Sequence, residues 1–148
     1  MASQNKMNMV KPLGADYNRK EFAVDTDGTD LIPQGAMVYH VAGVLKELDT
    51  DAHAADFVGV ASDASYIQPY ATKKFNNPLV VLSAGIFKFK TTAGDTLTHG
   101  AAVYIGADSQ TITTTAGVGT NPVGKVYNPD GLSLAGGTDE CMVSIAVK

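Results

Sequence analysis

Tryptophan is absent from these 148 residues, cysteine occurs once, and basic residues do not outnumber acidic ones. Each shortage removes a class of protein. With Cys141 alone, neither an intrachain disulfide nor a cysteine zinc site can form. Cys141 stands in the apolar run Cys-Met-Val-Ser-Ile-Ala-Val and is expected to be a small buried hydrophobe, not a reactive thiol. The longest apolar stretch, Leu79 to Phe87, is far short of the roughly 20 residues a membrane helix needs. The N-terminal region has no signal-peptide core, because Met7, Met9 and Val10 are interrupted by Asn and Lys. A net charge of −4 argues against a general nucleic-acid binder, which needs a basic face. The expectation is a soluble chain made in a cytosol, with neither nucleic acid nor membrane as partner.

What is present is glycine (15 residues), alanine, threonine and short β-branched runs, a mix that suits short strands and tight turns. The length fits one domain or two small fused halves, with enough chain to bury a core.

The strongest signal is a repeat. Ile32-Pro-Gln-Gly-Ala-Met-Val-Tyr39 returns as Leu97-Thr-His-Gly-Ala-Ala-Val-Tyr104. At this offset of 65, residues 22–63 and 87–128 align without a gap and share eleven of forty-two residues. Chance would give roughly three. Val80-Val-Leu-Ser83 closes the first copy and Cys141-Met-Val-Ser144 the second. The chain therefore reads as two copies of one β unit, about 22–83 and 87–148, in a single domain over 21–148. The expected fold is all-β, a small barrel or sandwich. In each copy Gly permits a positive φ or a close backbone approach, Val points inward, and Tyr sits at a rim. In the second copy Ala101 to Ile105 and Thr111 to Thr115 form a hairpin. Val44 to Leu48 or Asp51 to Ala55 could make one helical turn.

Residues 1–20 lie outside the repeat and carry a net charge of +3, which leaves −7 on the remainder. They read as an extended N-terminal arm. Stretched out, it would reach about 66 Å, against a radius of gyration of about 15 Å for a compact chain of this length. Its candidate contact residues are Lys6, Met7, Met9, Val10, Lys11, Leu13 and Tyr17. A second unshared feature is the connection 62–78, with Tyr66, Ile67, Tyr70 and Phe75. Such a loop either folds back on its own domain or serves an interface.

Catalytic and ligand-binding motifs fit poorly. Gly119 to Lys125 has the P-loop lysine, but Val126 replaces the magnesium-binding Ser or Thr, and Pro129 blocks the helix. Asp25, Asp27 and Asp30 resemble a calcium loop but miss the EF-hand frame, with Ala36 where Glu belongs. His40, His53 and His99 lack metal spacing, and no nucleophile elbow occurs. No catalytic residue, metal or cofactor is assigned, and the chain is expected not to be an enzyme.

The pattern Gly-Ala-x-Val-Tyr, an acidic hairpin tip, Thr-Ile-Thr-Thr-Thr and a late Val-Gly, most specific over 97–126, resembles the head-decoration (cement, capsid-stabilising) proteins of tailed bacteriophages. The first copy, with Gly35-Ala-Met-Val-Tyr39 and Phe57-Val-Gly-Val-Ala61, is similar. The resemblance implies a β-rich knob, commonly a homotrimer, on the exterior of the virion capsid, with the major capsid protein as partner. No catalytic residue carries over. The alternative expectation is a ligand- or carbohydrate-binding β module of a phage tail or surface accessory, with its groove near Tyr66, Tyr70 and Phe75.

Overall fold

The computed structural model describes residues 9–11, 19–23, 32–62, 78–137 and 140–147. Among them the chain is all-β. The strands are β1 (Met9–Lys11), β2 (Arg19–Ala23), β3 (Met37–Val41), β4 (Val44–Glu47), β5 (Phe57–Ala61), β6 (Pro78–Leu82), β7 (Ala84–Thr91), β8 (Thr96–Leu97), β9 (Ala102–Ile105), β10 (Thr111–Thr113), β11 (Gly124–Val126), β12 (Leu134–Ala135) and β13 (Cys141–Ala146). One 3-10 turn, His53–Asp56, interrupts them. No helix among the described residues is long and apolar enough to cross a membrane.

The strands form two units with one topology. The first is a curled half-barrel sheet in the order β2-β6-β5-β3-β4. The second runs β7-β13-β11-β9-β10 and closes into a barrel, because β10 pairs in parallel with β7 through Thr111↔Lys90 and Ile112↔Thr91. The ladders correspond residue for residue at the centre. Val38 faces Gly59 across β3 and β5, and Val103 faces Gly124 across β9 and β11. β1 is an addition to the edge of β7, and β8 with β12 forms a separate two-stranded ribbon.

Backbone hydrogen bonds explain why Gly-Ala-x-Val-Tyr recurs. Gly35 donates to the Ala61 carbonyl and Gly100 to that of Val126, each at 2.9 Å. Ala36 and Ala101 accept in return from the amides of Ala61 and Val126. Each Ala amide also closes a turn, onto Pro33 in one copy and Thr98 in the other. The turn needs φ of 85° at Gly35 and 84° at Gly100, a region only glycine enters without strain. The motif is thus a turn locked onto the neighbouring strand.

The later Val-Gly pair has a different cause. A Cβ on Gly59 would press into the Leu82 carbonyl oxygen and the Val81 side chain. On Gly124 it would meet the Ser144 carbonyl and the Val143 side chain in the same way. This contact also corrects the register of the closing strands. Val60 pairs with Leu82 and Lys125 with Ser144. Val81-Leu82 therefore corresponds to Val143-Ser144, one residue away from the match of Val80–Ser83 with Cys141–Ser144. The shared Ser83/Ser144 was coincidental, and the ladder set the register.

Among the described residues, two apolar clusters form the core. Ile32, Ala36, Val38, Leu45, Ala61 and Val81 pack together on one side of the first sheet. Alternate residues on the same strands, Met37, Tyr39, Val60 and Leu82, join a larger cluster with Phe87, Val103, Ile112, Val143 and Ile145 of the second unit. The first sheet is therefore buried on both faces. Val38 and Val103 point inward as expected. Tyr39 does not sit at a rim: it is 6% exposed, and its ring stacks on His53 at 4.7 Å. Tyr104, its counterpart, is half-buried. Val44 to Glu47 is a strand, not a helical turn, because Ala42 (φ 49°) and Gly43 (φ 84°) make a two-residue hairpin before it. The 3-10 turn His53–Asp56 overlaps the other helical candidate, Asp51 to Ala55, and ends one residue beyond it.

Candidate functional site

The structure splits the residues proposed for the arm. Met9, Val10 and Lys11 form β1, antiparallel to β7, with Met9 opposite Phe87 and Lys11 opposite Ile86. This part of the arm lies on the second unit rather than clear of it. Arg19 and Lys20, also placed in the arm, begin β2 and pair with Leu82 and Val81. Lys6, Met7, Leu13 and Tyr17 lie outside the described residues, as do Tyr66, Ile67, Tyr70 and Phe75 of the long connection. Asp25, Asp27 and Asp30 also lie outside them. Among the described residues no group of His, Cys, Asp and Glu is arranged to hold a metal ion.

The described polar side chains hold the fold together. His53 contacts the Asp49 carboxylate at 2.6 Å through Nδ1 while its ring covers Tyr39. His99 Nδ1 accepts from the Asn128 amide at 2.9 Å, and its ring meets Tyr127 edge-on. Lys125, the lysine of the P-loop-like stretch, is exposed on β11 opposite Ser144. Cys141 is buried, and that burial pushes its thiol pKa up from 9.0 to about 11, so the reactive thiolate is scarce at neutral pH.

Two polar joints fasten the units, and sequence reading missed both. In the first joint, Ser109 and Gln110 at the end of the second hairpin's loop are buried. Ser109 donates through Oγ to Glu47 at 2.5 Å, its carbonyl accepts from the Met37 amide, and Gln110 Nε2 donates to the Gln34 carbonyl. In the second joint Asn121 donates from its backbone to Asp51 Oδ1 and from its side chain to the Asp51 carbonyl. Gly117 and Gly119 press so closely on Asp51 that neither has room for a Cβ. Val118 between them is fully exposed, and Thr120 has φ of 51°. The joints link residues 62 to 76 apart in the chain, so no local pattern marks them.

Among the described residues, the shared Gly-Ala-x-Val-Tyr and Val-Gly positions are taken up by turns, ladders and cores. The two copies do not share β1, the connection 62–78, or exposed loop residues such as Val118 and Leu132. No family model, curated protein or solved structure matches the chain.

Proposed function

We propose that this chain is a non-enzymatic structural protein of a phage virion, which binds the outer surface of the capsid and cements neighbouring subunits of the major capsid protein. The observation that carries the reading is the position of β1. It is an end strand of its sheet, and residues 1–8, with Lys6 and Met7, precede it. An N-terminal segment attached at a sheet edge is well placed to pair with an edge strand of a partner. The charge division supports it, with +3 in residues 1–20 for an acidic shell and −7 in the body for solubility.

The mechanism is linkage. A protein that binds only the assembled shell stabilises it by mass action. Many copies, each bridging subunits, multiply modest contacts into avidity. A homotrimer suits threefold and quasi-threefold positions, and the connection 62–78 would supply further contacts through Tyr66, Ile67, Tyr70 and Phe75. The jointed pair of units acts as a stiff block that passes load between contacts.

The test is co-sedimentation of the purified chain with expanded capsids of the phage that encodes it. Saturable binding is expected for the full chain. Removing residues 1–8 should weaken binding while leaving β1 in place, and removing 1–18 should abolish it. If the chain lacking 1–18 folds and coats capsids as well as the full chain, the N-terminal segment is not the clamp.

A further inference from the structure

The first unit meets the second through one face of its sheet. Met37, Tyr39, Val60 and Leu82 carry that face into the shared cluster. The offset of 65 residues puts Ala102, Tyr104 and Lys125 at the positions of Met37, Tyr39 and Val60, and the ladders put Ser144 at that of Leu82. In the second unit none of these residues is fully buried. Lys125 is exposed, and Ala102, Tyr104 and Ser144 are half-buried. The tyrosine is kept, while Met, Val and Leu give way to Ala, Lys and Ser.

The ladders assemble this face. Lys125 stands opposite Ser144 of β13 and Ala102 of β9, so the three share one side of the sheet. Met142, two residues before Ser144, lies on the same side opposite Lys88 of β7. Lys88 is exposed and Met142 half-buried. Strands β7, β9, β11 and β13 carry the lysines Lys88, Lys90 and Lys125 and neither Asp nor Glu. The chain as a whole has the opposite balance, with 15 acidic residues against 11 basic ones.

We propose that this face of the second unit, with Lys125 at its centre and Lys88 beside it, docks an acidic surface of a partner protein. The first unit supplies the precedent, because its equivalent face carries a protein contact within the chain. Charge selects the occupant: two exposed lysines that face no carboxylate across the ladder draw in carboxylates. Tyr104 and Met142 belong to residue types enriched at protein interfaces. Their apolar area excludes water beside Lys125 and so strengthens a carboxylate contact there. The net charge of −4 disfavours nucleic acid as the occupant. The capsid reading enters only in naming the supplier of the acidic surface, the major capsid protein.

Amide chemical-shift mapping of the full chain tests this without a capsid. The probe is the peptide acetyl-Glu-Glu-Phe-Glu-Glu-amide, with a control in which every Glu is Gln. The acidic peptide is expected to move the amides of Lys88, Ala102, Lys125, Met142 and Ser144, and the control to leave them in place. The double variant Lys88→Glu with Lys125→Glu should keep the folded spectrum and bind the acidic peptide about tenfold or more weakly. The proposal is overturned if the shifts gather at the basic residues of 1–20 instead, or if the double variant binds unchanged. It is also overturned if the double variant alters the sedimentation of the chain alone, which would assign the face to a second copy. A chain that coats capsids yet fails to take the peptide here loses the docking face and keeps the capsid reading. One that takes the peptide here but leaves capsids bare keeps the face and loses that reading.

Discussion

The second unit closes into a barrel, while the first stays a curled sheet with β2 and β4 at its ends. Both lay down five strands in the same order, with the same locked turn before β3 and β9. Closure depends on Lys90 and Thr91 at the far end of β7. The counterparts of these two residues, Asp25 and Thr26, lie outside the described residues. The first sheet turns its other face onto the second unit and so buries both sides. One frame thus serves two ends: a self-contained barrel, and a sheet completed by its neighbour. The shared turn and ladder glycines maintain the frame in both.

The equivalence of the two Val-Gly pairs breaks most readily at the glycines. Gly59→Ala and Gly124→Ala should each cost roughly 2–3 kcal/mol in urea unfolding, because the added Cβ meets a neighbouring strand's carbonyl. A loss confined to one copy would show that the two contacts differ in kind. The facing valines sharpen the contrast. Val38→Ala and Val103→Ala should each cost about 2 kcal/mol, with Val103→Ala the more severe. The closed barrel cannot collapse around the cavity as the smaller cluster around Val38 can. Equal losses would mean that the half-barrel is as rigid as the barrel.

Ala42 and Ala107 are identical in the aligned copies, but only Ala42 has a positive φ. Ala42→Gly should therefore stabilise the chain by about 0.5–1 kcal/mol, measured as a rise in the urea midpoint, and Ala107→Gly should give no gain. The smallest effect at neutral pH belongs to Cys141, whose folded pKa is raised to about 11. Its contribution is fully present below about 9 and is lost as pH rises toward 11, because the unfolded chain releases the thiol proton first. Cys141→Ala should flatten that alkaline slope in stability against pH. An unchanged slope would assign it to other groups.

The duplicated frame was legible because its demands are local. A positive φ at Gly35 and Gly100 and crowding at Gly59 and Gly124 restrict residue choice at fixed spacing. The β3–β4 hairpin was hidden because Ala42-Gly43 lacks the Asn or Asp that usually marks such a turn. The burial of Tyr39 was hidden because it depends on the other unit covering its face. The joints at Ser109 and Asp51 pair residues far apart in sequence, and no periodicity records such pairs. For the candidate site, sequence marked the N-terminal segment as different in composition. That Met9–Lys11 would join β7 was not readable, since three residues carry too little alternation to announce a strand.

The most direct test of the whole account is binding of the purified chain to expanded capsids of the phage that encodes it, followed by sedimentation and compared with the chain lacking residues 1–18. The account predicts saturable decoration by the full chain, raised capsid resistance to heat, and loss of both in the truncated chain. A full-length, folded chain that leaves such capsids bare would contradict it.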